Sequence, residues 1–471
     1  MTTSSASTTS RRQFLHQGLM AAGAAALTPV LPPVPARAAA GPRKITLSKV
    51  SSNFEREPLV RPFGFKGSYM REIWQTAAYL ESGSGAHGIG LCSQSVLWSD
   101  ASVFAKHSES GGNALMYAMT ERALQILRGQ TFTAPEELLE AVLPEVHAYG
   151  QRITAHPALR RTFALNALVG VDSAAWLLYA KENGIATFDD LIPPVYRAAL
   201  AHRHERVAGI PLMAYTIPVE EIKASADAGY FFMKIKIGQP GTQAEMLEKD
   251  KARLTAIHQA IGHLKTPHTA TGALPYYFDA NGRYEKKETL LELLDHARRL
   301  GAFDQIAIIE EPFAEELDIE VGDIPVRLAA DESAHTVEDA IVRMQMGYKA
   351  MALKPIAKTL SMSLRIARAA HERQVPCFCA DLTVNPVLIE WNKNVAARLA
   401  PFPGLGRLGL LESNGHQNYR NWDAMLGYHP RRDAPWTRVR QGVYELGTDF
   451  YRSSGGIFEP MPHYEAMFAQ A

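Results

Sequence analysis

Three lysines and three acids carry the chemistry this sequence can offer: Lys234, Lys236, Lys354, Asp279, Glu310 and Asp331. Each closes a short apolar run, in Lys234-Ile235-Lys236, Phe278-Asp279-Ala280-Asn281-Gly282, Ile309-Glu310-Glu311-Pro312, Ala330-Asp331-Glu332-Ser333 and Leu353-Lys354-Pro355. From Asp279 onward the intervals are 31, 21 and 23 residues, each about one strand, one helix and two loops. Three carboxylates on adjacent strand ends oppose one another's ionisation unless a cation neutralises them. A hard divalent ion with oxygen ligands fits, and Mg²⁺ keeps positions open for substrate oxygens. Lys234 and Lys236 lie two apart on a strand and so point to one face. Like-charge repulsion is expected to lower the pKa of each, favouring a neutral amine that can act as a base. Lys354 falls four strands further round, across the same cup. In this arrangement a metal ion binds a substrate carboxylate, a lysine removes the neighbouring proton, and the ion stabilises the enediolate that results.

The elements that position these groups follow from the texture of the chain after Gly209. Apolar strands are expected at Leu212–Tyr215, Phe231–Ile237, Tyr276–Asp279, Ile306–Glu310, Arg327–Asp331, Ala350–Lys354, Val375–Ala380 and Leu408–Leu411, with helix-period segments between them. Such alternation calls for a parallel sheet closed into a (β/α)₈ barrel of the TIM type, whose functional groups project from the C-terminal strand ends. An open doubly wound sheet would bring a glycine-rich phosphate turn after an early strand, and none is present.

Ahead of the barrel, residues 44–160 suggest an α+β capping domain. Its strands are expected at Ile45–Phe54, Trp74–Leu80 and Gly88–Cys92, with helices over Gly112–Leu127 and Ala134–Val146. The barrel spans 161–425, opening with a helix over Arg161–Asn183, and the segment 426–471 is expected to pack back on the cap. Residues 1–40 have the layout of a twin-arginine export signal. Arg11-Arg12 precedes an apolar run from Gly18 to Leu31, and Ala36-Arg37-Ala38 offers a small-x-small cleavage site. The run is short and alanine-rich for a membrane span. A periplasmic or secreted enzyme is expected, with no membrane attachment beyond the signal.

Composition narrows the partners. Lys+Arg and Asp+Glu both number 49, so the basic excess that nucleic acid or an anionic membrane demands is missing. The expected partner is a small-molecule carboxylate, and the expected assembly a homo-oligomer. The three cysteines, Cys92, Cys377 and Cys379, are too few for a disulfide framework and suit buried thiols.

Taken in order, Lys234-Ile235-Lys236, Asp279-Ala280-Asn281, Glu310-Glu311-Pro312, Asp331-Glu332-Ser333 and Lys354, with Lys358 behind it, resemble the enolase superfamily, and within it the muconate-lactonizing-enzyme subgroup. Asp172-Ser173-Ala174-Ala175-Trp176 looks like that family's helix joining cap to barrel, and the likeness covers roughly residues 44–425. The resemblance implies Mg²⁺ on Asp279, Glu310 and Asp331. It makes Lys236 and Lys354 the acid/base pair on opposite substrate faces and gives Lys234 a supporting role. It also implies specificity loops near Phe65–Met70 and Cys92–Trp98. The mandelate-racemase subgroup uses a His–Asp pair on the sixth and seventh strands, whereas Lys354 stands on the sixth here. The chain departs from the pattern after Lys358, where Thr359-Leu360-Ser361 replaces a Gly-Gly. It departs again on the eighth strand, where Glu412-Ser413-Asn414 replaces the Asp-x-Asp of dipeptide epimerases. Racemisation or epimerisation of an amino-acid or hydroxy-acid derivative is the expected reaction. Dehydration, cycloisomerisation and catalytically silent carboxylate binding are the alternatives, and the roles of Asp381 and Glu412 stay open. If the paired arginines are an export address, the double substitution Arg11→Lys and Arg12→Lys leaves the full-length chain in the cytoplasm of a bacterial host. Fractionation checks this, and an undiminished periplasmic fraction refutes the address.

Overall fold

The computed structural model describes residues 41–469; the export signal expected over 1–40 lies outside the described residues. A four-stranded antiparallel sheet, in the order β3-β2-β1-β4, begins the fold. It consists of β1 (Ile45–Phe65), β2 (Ser68–Ser82), β3 (His87–Gln94) and the short β4 (Thr131–Phe132). The first two strands are longer than their sequence signal. The expected loop at Phe65–Met70 is instead a hairpin, with Phe65 paired to Ser68 and only Lys66 (φ 48°) and Gly67 (φ 72°) between them. Positive φ at both central residues is the type I′ turn, which matches the twist of the strands it joins. Two prolines masked the strand. Pro58 and Pro62 interrupt its pattern, and the pairing register shifts between Pro58 and Phe63, where a missing N–H is tolerated.

Helices Glu109–Leu127, Pro135–Ile153 and Arg161–Asn183 cover one face of this sheet. The last is apolar enough to cross a membrane by length and composition, but 94% of its apolar window is buried in the protein, as in a core helix. It lies almost on the backbone of β3. A Cβ on Gly90 would stand 2.0 Å from the Gly170 carbonyl oxygen and 2.4 Å from the Ala174 nitrogen. The same helix fastens the barrel. Asp172 accepts hydrogen bonds from the Leu360 and Ser361 amides at 2.9 and 3.2 Å, capping helix Leu360–Glu372, and Trp176 Nε1 donates to Ser361 Oγ at 3.0 Å.

The barrel begins with a strand broken at Pro211 into β5 (Arg206–Ile210) and β6 (Leu212–Met213). There follow β7 (Met233–Lys236), β8 (Tyr276–Asp279), β9 (Ile306–Glu310), β10 (Leu328–Ala330), β11 (Ala350–Leu353), β12 (Cys377–Cys379) and β13 (Gly409–Glu412). The ladders are parallel, β6 pairs with β7, and β13 returns to β5, so the two halves of the broken strand close the ring. The first strand thus starts six residues earlier than expected, because the proline splits its pattern. An antiparallel β14 (Val443–Glu445) from the C-terminal segment adds to the free edge of β5. That segment also reaches the cap, where Asn53 Nδ2 donates to the Met467 carbonyl at 3.1 Å and His463 Nε2 lies 2.9 Å from Glu55 Oε1. Helix Gln243–Ile261 precedes a loop around Lys265–His268, where His268 stacks on Phe231 at 4.1 Å between centroids.

Strand periodicity sorts the barrel residues into an outer layer and an inner column. Inside lie Ala208, Ile210, Phe232, Tyr277, Ile308, Ala329, Ala350, Ala352, Phe378, Ala380 and Leu410, a packed apolar plug. Cys377 and Cys379 point outward from β12, both buried and free. Because the helix–sheet contact at Gly90 is backbone on backbone, Gly90→Ala must push the two elements apart. We expect a loss of about 3 kcal/mol or more, read as a fall in urea midpoint with unchanged m-value.

Candidate active site

Continuing six of the eight inner rows by one step toward the strand's C-terminal end reaches a charged residue. The row through Phe232 passes to Lys234 and Lys236, Tyr277 to Asp279, Ile308 to Glu310, Ala329 to Asp331, Ala352 to Lys354 and Leu410 to Glu412. The plug is the floor of the site and these side chains are its walls. All six residues singled out from the sequence are buried here.

Their ion pairs interlock. Lys234 Nζ lies 2.9 Å from Asp279 Oδ2, 2.8 Å from Glu310 Oε1 and 3.2 Å from Glu412 Oε2. Lys236 Nζ shares Asp279 Oδ2 at 2.5 Å and donates to Asn281 Oδ1 at 2.6 Å. Across the mouth, Lys354 Nζ stands 2.5 Å from Asp331 Oδ2, and Lys358 Nζ 3.2 Å from Asp331 Oδ1. Tyr277 in the floor donates its hydroxyl to Glu310 Oε2. Asp381, just past β12, accepts from the Leu382 and Asn414 amides at 2.8 Å each, while its own amide donates to Glu412 Oε2 at 2.9 Å.

One expectation needs correction. The lysines were expected to depress one another's pKa. Instead Lys234 sits well above its ordinary value: burial pulls it down, but Asp279, Glu310, Glu412 and Asp331 outweigh that. Lys354 is raised by the same balance, with Asp331 its chief partner. The reason is that the acids face the ammonium groups more closely than the lysines face each other. The acids respond in turn. Asp279 is drawn down to about 2, since Lys234 and Lys236 overcome its burial. Glu310 is pushed up to about 7, burial dominating over Lys234.

The acids meet in more than one grouping. Glu310, Asp331 and Glu332 bring one carboxylate oxygen each within 4.8 Å of the others, whereas Asp279 is turned toward the two lysines. Glu332 was not singled out from the sequence. The strand ends at Ala330, so period-two alternation no longer separates neighbours, and both Asp331 and Glu332 turn inward. The donor set is all hard oxygen; Asp331 Oδ1 has the Lys358 ammonium at 3.2 Å, and Glu332 Oε2 is buried without a hydrogen-bond donor. Such a cluster suits a divalent cation.

The cap closes the site. Phe63, Phe65, Met70, Ser95 and Trp98 roof a small cavity whose walls include Lys234, Lys236, Lys354, Asp381, Thr383, Glu412 and Asn414. Lys66 at the hairpin tip donates to the Trp98 carbonyl at 2.7 Å and pairs with Glu332 at 3.4 Å. His335 stands apart from this cavity, paired to Glu315 at 2.7 Å.

Fold and site together define a capped (β/α)₈-barrel enzyme with lysines and carboxylates at its mouth. Residues 218–422 match the family described as "Enolase C-terminal domain-like". That match spans most of the barrel, and the solved structures that share the whole fold include a muconate lactonizing enzyme from Pseudomonas fluorescens. It is 24% identical over 339 residues to the o-succinylbenzoate synthase of Bacillus subtilis (strain 168), covering 69% of this chain and 76% of that one. The dipeptide epimerase from Cytophaga hutchinsonii, solved with Mg and D-Ala-L-Val, shares the fold with a TM-score of 0.59 at 16% identity, over 85% of this chain and 93% of its own. The N-succinyl Arg/Lys racemase from Bacillus cereus ATCC 14579 gives 0.56 at 15% identity, over 80% and 89%.

Removing Lys234 leaves Asp279, Glu310 and Glu412 without their shared counter-charge. Lys234→Met should therefore lower stability in EDTA by about 3–5 kcal/mol, measured by chemical denaturation, with part of the loss recovered in excess Mg²⁺.

Proposed function

We propose that this protein removes the proton α to a substrate carboxylate and returns it from the opposite face, racemising or epimerising an amino-acid or hydroxy-acid derivative. One observation carries the reading. Lys236 ends the second barrel strand and Lys354 follows the sixth, so the two stand half a turn apart around the ring and line the same cavity. A substrate held between them exposes one face to each Nζ, the requirement for 1,1-proton transfer.

Asp279, Glu310 and Asp331 are the groups that would hold Mg²⁺. Lys234 Nζ, poised between the first two, marks a position where positive charge is already favoured. Mg²⁺ held there would neutralise the substrate carboxylate and the charge that develops on it as the proton leaves, while lessening the acids' hold on the lysines. Glu332 is engaged by Lys66 and by Asn281 Nδ2 at 2.8 Å, which suits it to steady Asp331 rather than to replace Asp279. The lysine on one face takes the α-proton at Nζ as a neutral amine, and the other delivers its own proton as an ammonium. Lys234 stays near the substrate carboxylate, its charge fixed by Glu310 and Glu412. The roof of Phe63, Phe65, Met70 and Trp98 keeps water from the carbanionic centre. The arginine pair at the front of the chain supports action in the periplasm or outside the cell, and a homo-oligomer is the assembly we favour.

The test is α-hydrogen exchange in D₂O with Mg²⁺ across dipeptides, N-acylamino acids and sugar acids. Wild type should exchange both α-epimers of one class. Lys236→Ala and Lys354→Ala should each lose about 10²–10⁴-fold for one epimer, and EDTA should abolish both. Elimination of water or ring closure without return of the proton would favour a dehydratase or cycloisomerase. Absence of exchange with every class would sink proton abstraction.

A further inference from the structure

Lys354 leaves its strand at a residue with φ −138° and ψ 73° and is followed at once by the helical turn Pro355–Lys358. Its long stem has no regular element to direct it. What fixes the amine comes from the other domain. Trp98, buried in the turn Val96–Ser99 that follows β3, places its ring centroid 4.4 Å from Lys354 Nζ. The same indole donates its Nε1–H to Asp331 Oδ2 at 3.2 Å, the oxygen that Lys354 itself approaches at 2.5 Å. Ring face, ammonium and carboxylate therefore form a closed set in which each touches the other two.

We propose that Trp98 is the positioning residue for Lys354, aiming its Nζ into the cavity through the indole face and tying the cap to the lysine that works on one side of the substrate. The inference rests on the two-lysine reading given above. The indole is itself held. Ser95 N donates to Asn166 Oδ1 at 2.9 Å, Thr162 Oγ1 to the Ser99 carbonyl at 2.8 Å, and Lys66 Nζ to the Trp98 carbonyl at 2.7 Å. Helix and hairpin tip thus clamp the turn on both sides. An aromatic face attracts an ammonium and still packs, less strongly, against a neutral amine. Unlike Asp331, it supplies no full charge that would oppose loss of the lysine's proton. When Asp331 is engaged by another cation, the indole remains to hold the amine in line. Lys236 has a different neighbour, the Phe65 ring at 5.3 Å, so the two sides of the cavity can be perturbed separately.

The experiment exploits that separation. The two α-epimers of a dipeptide or N-acylamino acid that exchanges in wild type are assigned to their lysines by Lys236→Ala and Lys354→Ala. Trp98→Leu should then slow exchange of the Lys354 epimer through kcat about 10-fold or more beyond any slowing of the Lys236 epimer. Trp98→Phe, which keeps a ring face, should recover most of the loss. Equal slowing of both epimers, or no slowing of either, overturns the inference. A second readout needs no turnover. Trp98 is one of 6 tryptophans, and subtracting the emission of Trp98→Phe from that of wild type isolates it. That difference spectrum should shift when both proteins also carry Lys354→Met. Absence of exchange in wild type with a clear shift would count against the reading of function while supporting the contact; no shift would count against the contact itself.

Discussion

The structure depends on the mutual neutralisation of charges that water cannot reach. Lys234, Lys236, Lys354 and Lys358 share the barrel mouth with Asp279, Glu310, Asp331, Glu332 and Glu412, all buried. None of these groups would be tolerated alone, since an isolated charge in such surroundings neutralises or destabilises the fold. Together they form two linked sets, one centred on the Lys234 ammonium and the other on the Asp331 carboxylate. The small inner residues beneath them, alanine in four of the rows, let the barrel close tightly enough to bring these groups within ion-pair distance.

The cap completes this arrangement rather than merely covering it. Its hairpin delivers Lys66 to Glu332 and Phe65 to Lys236, and the turn after β3 delivers Trp98 to Lys354 and Asp331. These contacts hold only while the sheet stays seated on helix Arg161–Asn183, where Gly90 meets Gly170. Helix Arg161–Asn183 in turn holds the barrel through Asp172. The line from cap core to reacting groups is therefore short and made of close-packed or hydrogen-bonded steps.

Much of this was legible in the sequence, because a barrel strand announces its inner row by alternation and its functional end by the first charge that breaks an apolar run. That rule located Lys234, Lys236, Asp279, Glu310, Asp331 and Lys354, and on the eighth strand it reached Glu412, whose role stayed open. It failed where strand geometry stops. Glu332 lies two residues past the strand end, and Asp381, whose role stayed open, is held by backbone amides of a loop. Prolines hid two other features, the long hairpin behind Pro58 and Pro62 and the start of the first barrel strand behind Pro211. The direction of the lysine shifts was misjudged for a different reason: residue spacing shows which like charges are close, but only the folded mouth shows that opposite charges are closer. Trp98 carries no motif, since its role arises from the meeting of two domains.

The break at Pro211 has a consequence for how the chain assembles. The ring closes through two half-strands, and the half that meets β13 keeps an open edge that β14 occupies, with Gly209 N donating to the Gly442 carbonyl at 2.9 Å. The edge opened near residue 210 is sealed only by residues beyond 440, so the earliest barrel strand must wait for a segment made more than 200 residues later. During translation it is an unpaired strand edge, the kind that invites wrong partners. The tail is thus the keystone of the ring, and the barrel's apparent end near residue 425 is a boundary in sequence but not in folding.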